Sequence, residues 1–374
     1  MKLLSFIKSE LTLTISFVLT LISCFFVFPD KEYLGYINIE VLIVLFVLMG
    51  VTSGLKRSSF FSYIATKLTS LSHTHRSCEL FLVLLTFFTS MFVTNDVSLL
   101  IYVPFSLSLV RDNFDKKEVA ILIVLETIAA NLGSMATPFG NPQNLYIFSY
   151  FSLNAASFFK AILPYSALSF LLLLLIVFFK GSNKEISKKE EKREVNTGIV
   201  TLDFIVFAFA LLTIFGLFRH IYLLLIALVL FLLFDRVALK EIDYALLLTF
   251  ICFFIFSGNL ARIESVREIL VKATEKYAFI TSLLASQLIS NVPSAVLLSP
   301  FTLDWRAILL GTDIGGLGTP IASLASLISL KFIYKEKGIN KGGYLLLFTL
   351  LNLLFLFALL VLYFLTRSLS MSSF

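Results

Sequence analysis

The chain has 374 residues, of which 58% are apolar and only 14% charged. Soluble domains average about 25% charged residues, so a soluble core of this size is excluded, and a mean hydropathy of +0.95 points to an all-α polytopic membrane protein. The excess of 30 Lys and Arg over 24 acids is assigned to membrane topology rather than to nucleic acid, because basic residues collect in the loops on one side of a bilayer.

A spanning helix needs about 20 mostly apolar residues. The first candidate, Leu11–Phe28, continues from a basic N-terminus without a small-residue cleavage site, so it reads as a transmembrane helix and not a removed signal. Ile37–Gly54 follows. The apolar stretch Glu79–Val110 carries a polar Asn-containing cluster at its centre and suits a re-entrant hairpin, which is tolerated at membrane depth where protein or a water-filled cavity surrounds it. Next come Lys117–Leu132 and Ala161–Phe179, then the hydrophilic linker Lys180–Asn196. Beyond it, Val200–Phe218, Ile221–Phe234 and Tyr244–Ser257 read as spans, Tyr277–Phe301 as a second hairpin, and Ala307–Leu330 and Tyr344–Leu365 as the last two crossings. With the N-terminus inside and each hairpin returning to its own side, 21 of the 30 basic residues fall in cytoplasmic segments and 9 outside, the bias expected of a correct orientation.

The linker divides two halves that repeat one another. Val93-Thr94-Asn95-Asp96-Val97-Ser98 corresponds to Ile289-Ser290-Asn291-Val292-Pro293-Ser294, each followed by a proline nine residues after the Asn (Pro104, Pro300). Asn131–Pro138 corresponds to Asp313–Pro320 through Gly133/Gly315, Thr137/Thr319 and Pro138/Pro320, and Ser53-Gly54 corresponds to Ser257-Gly258. Because one further helix intervenes, the halves run in opposite senses: a first inverted repeat over 1–179, a cytoplasmic linker over 180–199, a connecting transmembrane helix over 200–220 and a second repeat over 221–374. Inverted repeats allow a transporter to alternate access to one midplane site.

Polar clusters bracketed by Gly and Pro inside apolar runs break helices, exposing positive N-terminal dipole ends to anions and free carbonyls to cations. The candidate substrate and ion-binding residues are therefore Thr94, Asn95 and Asp96; Asn131, Gly133, Thr137, Pro138, Gly140, Asn141 and Asn144; Ser290, Asn291 and Pro293; and Asp313, Gly315 and Thr319. Polar glue between packed helices is the competing reading of the hairpin tips, and a surface loop that of Asn131–Asn144. Acids within spans are costly and are functional suspects: Asp96, Asp313 and Glu126 are candidates for proton coupling, and Asn95 and Asn291 for a Na⁺ site. Glu40 and Asp203 lie near span ends, where snorkelling to the interface explains them. His73, His75 and Cys78 form too sparse a set for a metal site. No P-loop, GxSxG or HExxH occurs, so neither ATP drive nor enzymatic hydrolysis has a basis.

At TND (94–96), ATPFGNPQN (136–144), SNVPSAVLLSP (290–300) and WRAILLGTDIGGLGTPIASLASLISLK (305–331) the chain resembles the ion transporter superfamily, which includes arsenical pump membrane proteins, citrate and dicarboxylate permeases and some sodium/proton antiporters. The resemblance implies two inverted repeats, each with a re-entrant hairpin and a broken helix, meeting at the site. The expected function is secondary transport of a small anion or oxyanion, arsenite- or citrate-like, with H⁺ or Na⁺ as coupling ion and no other cofactor; Na⁺/H⁺ antiport is the alternative, and a passive channel or membrane-embedded enzyme is a third class. Carboxylate transporters of this group place Ser-Asn-Thr at both tips, whereas Asp96 and Val292 depart from that pattern. The expected partners are the bilayer and a small ion, with no nucleic acid; a homodimer is compatible. The expected location is the inner membrane, with the N-terminus cytoplasmic.

Overall fold

The structure, a computed structural model, describes residues 10–110, 114–186 and 194–372. Of the basic residues that enter the topology count, Lys2, Lys8, Arg111 and those within 187–193 of the linker lie outside the described residues. Among the described residues there is no strand, and one isolated β-bridge joins Thr74 to Glu185.

The first half comprises α1 (Leu11–Phe26), the single turn α2 (Tyr33–Tyr36), α3 (Ile39–Arg57) and the short α4 (Phe60–Thr69). It continues through a helical hairpin, α5 (His75–Ser90) and α6 (Asn95–Val110), an interrupted helix, α7 (Lys116–Ser134) and α8 (Pro142–Tyr150), and α9 (Ala155–Lys180). The second half starts with α10 (Thr197–Ile214), α11 (His220–Phe234) and the short α12 (Arg236–Lys240). Then come α13 (Tyr244–Arg262), a hairpin of α14 (Glu264–Ile289) and α15 (Asn291–Leu298), a second interrupted helix of α16 (Trp305–Ile314) and α17 (Leu324–Lys335), and α18 (Lys341–Ser372). By length and composition α3, α9, α10, α13 and α18 can each cross a membrane. Their outer faces carry large exposed apolar side chains, such as Leu175, Leu248 and Phe357, as lipid contact requires.

Local chemistry sets the breaks. Asp115 caps α7 by accepting from the amides of Lys117 and Glu118 at 2.9 and 2.8 Å, and Glu118 returns a bond to the Asp115 amide. These backbone bonds, that from Glu118 first, hold the Asp115 carboxyl below the ordinary range. At the first interruption Asn141 caps α8 and Pro142 occupies its first position, where a missing N–H costs nothing. Gly140 is required because a Cβ there would stand 2.2 Å from the Ser134 carbonyl oxygen. At the second interruption Gly318 takes φ +108°, a conformation open to glycine, and Pro320 opens a turn of 3₁₀ helix. The span expected over Ala307–Leu330 is thus two helices separated by nine residues, because glycine, proline and a positive φ stop the first. Within the second hairpin α14 kinks at Tyr277, whose φ of −128° and ψ of 31° are non-helical.

The halves interlock. Helix α1 lies against α13 of the other half, while α10 and α11 lie against α3. Small residues permit the approach: Gly50 faces the Phe231 ring and Gly258 the Tyr36 ring, each too closely for a Cβ. Gly54 faces the Asp203 carboxylate, at 2.2 Å from its ideal Cβ position. This corrects the sequence reading of Asp203, which does not snorkel. Its side chain is fully buried and both oxygens lack hydrogen-bond partners, because the packing of α10 on α3 turns position 203 inward. Nearby, Arg57 binds Asp235 at 2.5 and 3.0 Å and Glu241 at 2.9 Å, and Ser53 donates to Glu241, tying α3 to α12. Glu40 is half-buried and lines a separate cavity of about 250 Å³ with Ser149, Ser152 and Gly216.

Candidate functional site

Both hairpins and both interrupted helices converge at one place. Helix α17 packs on α6 and α7, and α15 and α16 pack on α8, so each hairpin touches the interrupted helix of the other half as well as its own. Between them lies a cavity of about 10 Å³, lined by Asn95, Asp96, Pro142, Gln143, Leu246, Asn291, Val292, Ser323 and Leu324. That is room for one water-sized particle. Apart from Leu246, every lining residue is the first or second residue of α6, α8 or α15, or the cap and first residue of α17. Four helix N-termini therefore border one cavity. Each carries roughly half a positive charge and favours an anion.

The two tip asparagines use the same geometry. The Asn95 side-chain oxygen accepts from the Asp96 amide at 3.0 Å, leaving its NH₂ to donate to Asn131 Oδ1 at 3.0 Å. The Asn291 side-chain oxygen accepts from the Val292 amide at 2.9 Å, and its NH₂ faces Gly316, where a Cβ would stand 3.2 Å away. Ser323 also donates to Asn131 Oδ1, at 2.8 Å, so Asn131 joins the first tip to the second interrupted helix. Ser290, at the second tip, holds φ +74° and ψ 157°, a region essentially reserved for glycine; strain of this kind clusters at functional sites. Its hydroxyl donates to Asn291 Oδ1 at 3.3 Å and to the Ala322 carbonyl at 3.4 Å.

Asp313 is buried where α16 meets α8. Its Oδ1 accepts from Asn141 Nδ2 and Gln143 Nε2, both at 3.2 Å, and its Oδ2 has no partner. Around the cavity the buried atoms without partners are Asp96 Oδ1, Gln143 Oε1, Asn144 Oδ1 and Asp313 Oδ2, all acceptors, and one donor, Asn131 Nδ2. Buried polar atoms are normally paired, so this surplus of acceptors suits a cation or a proton, held by hard oxygen ligands.

Other expected residues serve the frame. Thr137 donates to the Met91 carbonyl at 2.7 Å and Asn144 Nδ2 to the carbonyls of Met135 and Thr137 at 3.1 and 3.3 Å, fixing the unwound stretch to the first hairpin; Pro138 and Gly140 are buried within it. Thr319 is exposed and bonds to Gln287. Gly133 and Gly315 sit at crossings of the interrupted helices with the hairpin arms, since a Cβ would meet Phe87 O at 2.1 Å and Ser286 Cβ at 2.8 Å respectively. Pro293 is buried in the first turn of α15, Thr94 is half-buried beside the first tip, and Glu126 lies outside the cavity lining. His75 pairs with Glu118 at 3.2 Å.

Three polar residues of the cavity and tips escaped the sequence reading, Gln143, Ser323 and Gln287, as did the lining residues Pro142, Leu246 and Leu324. Gln143 and Ser323 stand inside motifs that the sequence singles out (NPQN, TPIAS) but are chemically unremarkable there. Gln287 lies on a helix arm, and only the fold shows its NH₂ donating to the carbonyls of Gly315 and Leu317, both at 2.6 Å.

Residues 2–305 match the family described as citrate transporter. An uncharacterized transporter of Methanocaldococcus jannaschii is 35% identical over 81% of this chain and 83% of its own, and the inner membrane protein YbiR of Escherichia coli is 31% identical over 83% and 84%. The silicon efflux transporter LSI3 of Oryza sativa is 33% identical over 37% of this chain and 28% of its own. The crystal structure of the Alcanivorax borkumensis YdaH transporter superposes with a TM-score of 0.59 over 90% of this chain and 86% of that one, at 14% identity, a likeness of fold.

Proposed function

The chain belongs to the citrate transporter family, and from that membership we propose that it is a secondary active transporter of a small anion or oxyanion, coupled to H⁺ or Na⁺. The convergence of four helix N-termini on one cavity carries this reading. Together they supply about two positive charges, which Asp96 and Asp313 offset when both are ionised. A proton or Na⁺ on either acid leaves the site net positive, so cation and anion bind together and release together. That linkage is what coupling requires.

Two inverted repeats, 1–179 and 221–374, joined by a cytoplasmic linker and a connecting helix, are the architecture that fits this role, and the exchanged packing of α1 on α13 and α11 on α3 supports them. Access alternates by one pair of hairpin and broken helix moving against the other. The inner membrane, with the N-terminus cytoplasmic, is the location that the basic loops favour. The two acids disfavour a tricarboxylate such as citrate and favour a less charged oxyacid, arsenite or antimonite, in keeping with a silicon transporter among the relatives. Na⁺/H⁺ antiport is the second reading; the surplus of buried acceptors and a cavity of about 10 Å³ favour it.

Purified protein in proteoliposomes tests the proposal, with arsenite, antimonite, citrate and succinate offered in turn under imposed pH or Na⁺ gradients. Flux of at least one that follows a gradient is expected. Flux of none, with Na⁺ exchanged for protons instead, selects the second reading. Flux indifferent to both gradients rejects coupled transport.

A further inference from the structure

A second row of buried polar groups leads away from the cavity toward the end of the molecule that carries the linker. Glu118, in the first turn of α7, reaches the surface there; it accepts from His75 at 3.2 Å and faces Lys184 at 3.6 Å. Glu79, on α5, is 6% exposed, lies within electrostatic reach of Glu118 and Arg76, and leaves Oε1 without a partner. Deeper on α7, Glu126 is fully buried. Ser106 of α6 donates to its Oε1 at 2.5 Å, while Oε2 has no partner. Among the described residues, Cys78 and Glu79 of α5, Tyr102 of α6 and Tyr344 of α18 are the titratable groups within electrostatic reach of Glu126; its charged neighbour is thus another acid. Beyond it the Tyr344 hydroxyl stands near Thr127 and Ser329, and both it and the Ser326 hydroxyl lack partners. Ser323, three residues before Ser326, bonds to Asn131 at the cavity.

An acid held purely for structure would have both oxygens satisfied, since an unpaired buried polar atom costs free energy. Here two acids on the packed helices α5 and α7 each keep one oxygen open. We propose that Glu79 and Glu126 form a proton relay between the linker face and the central cavity. The protonated Glu126 carboxyl releases its proton by way of the Tyr344, Ser326 and Ser323 hydroxyls to the Asp96 carboxylate, which lines the cavity with Ser323; the Glu79 carboxyl then reprotonates the Glu126 carboxylate, and Glu79, left as carboxylate, is reprotonated from solvent beside Glu118. The relay rests on the coupled-transport reading and names H⁺ as the coupling ion and α7 as its path. Both glutamates act on the site through the row and not by touching its occupant.

Infrared difference spectra of the protein in lipid test it without need of a substrate. The protonated carboxyl band assigned to Glu126 by its loss in Glu126→Gln, a variant that keeps an acceptor for Ser106, should exchange into D₂O about a hundredfold more slowly in Glu79→Gln, the lower end of what a positioned proton carrier contributes. In proteoliposomes Glu126→Gln should abolish the response of arsenite or Na⁺ flux to a pH gradient, and Glu126→Asp should restore part of it. Unchanged exchange in Glu79→Gln, no protonated band lost in Glu126→Gln, or an unchanged pH-gradient response each overturns the relay. If the wild type moves neither probe, the transport reading fails and the exchange rate still decides the relay. If Glu126→Gln does not fold, the band is assigned in Glu126→Asp and the Glu79→Gln comparison stands.

Discussion

Asp313 is the residue at which structure and ion chemistry separate most cleanly. Its Oδ1 accepts from Asn141 and Gln143, both at 3.2 Å in a buried setting, whereas Oδ2 is unpartnered and open to a proton or cation. Asp313→Ala removes the acceptor and strands two buried amide donors, at about 1–3 kcal/mol each, a loss of roughly 2–6 kcal/mol. Asp313→Asn keeps a carbonyl in the place of Oδ1. It forfeits at most the charge assistance, about half the strength of such bonds, so the loss is about 1–3 kcal/mol when the native group is ionised and smaller when it is protonated. Thermal unfolding of the three proteins in one detergent should therefore rank wild type above Asp313→Asn above Asp313→Ala, with the larger step at Ala. In proteoliposomes both variants should lose gradient-dependent flux. An Asn variant as unstable as Ala would show that the pairing at Oδ1 holds nothing, and an Asn variant with full coupled flux would remove Asp313 from the ion site.

Gly133→Ala should lower the unfolding temperature by the equivalent of about 1–3 kcal/mol, because its Cβ would stand 2.1 Å from the Phe87 carbonyl oxygen and α7 cannot move off α5 without disturbing the first tip. Asp203→Asn should leave the unfolding temperature equal or higher, since it replaces a fully buried acid with no hydrogen-bond partner by a neutral isostere; a clear drop would show that the carboxylate is paired in solution. The Arg262 guanidinium, 2.8 Å from Asp30, holds that carboxyl below the ordinary range. A group so depressed stabilises the fold above its unfolded value near pH 4 and loses that contribution as pH falls through its folded value. Wild type and Asp30→Asn should thus differ slightly in unfolding temperature at pH 6, and the difference should shrink as pH falls below about 4; a difference that does not shrink contradicts the pairing.

Much of this arrangement is legible in the amino-acid string because the signals are local. Gly140-Asn141-Pro142 breaks a helix wherever it occurs, and Thr94-Asn95 in an apolar run demands a partner, so the hairpin tips and the first interruption stand out without a fold. The second interruption is harder to bound. Leu309, Leu310 and Ile314 continue the apolar pattern up to the break and Leu324 resumes it just beyond, so hydropathy reads one span. Asp203 misled for a different reason: its depth depends on Gly54, 149 positions earlier in the chain, and no local pattern encodes a contact between α10 and α3. Gln143 and Gln287 likewise acquire meaning only when α16 comes to rest against α8 and α14.

Alternating access requires that one site between the two hairpins and the two interrupted helices be reached in turn from each side of the membrane. A single cysteine at 292, where Val292 lines the cavity, in a protein whose Cys24, Cys78 and Cys252 are replaced by serine, tests it directly. A membrane-impermeant thiol reagent is applied in separate trials to each face of reconstituted vesicles, with and without a pH gradient and arsenite. Labelling from both faces is expected, with the gradient shifting reactivity from one face to the other and arsenite slowing both. Labelling from one face only, unmoved by gradient or arsenite, would contradict it.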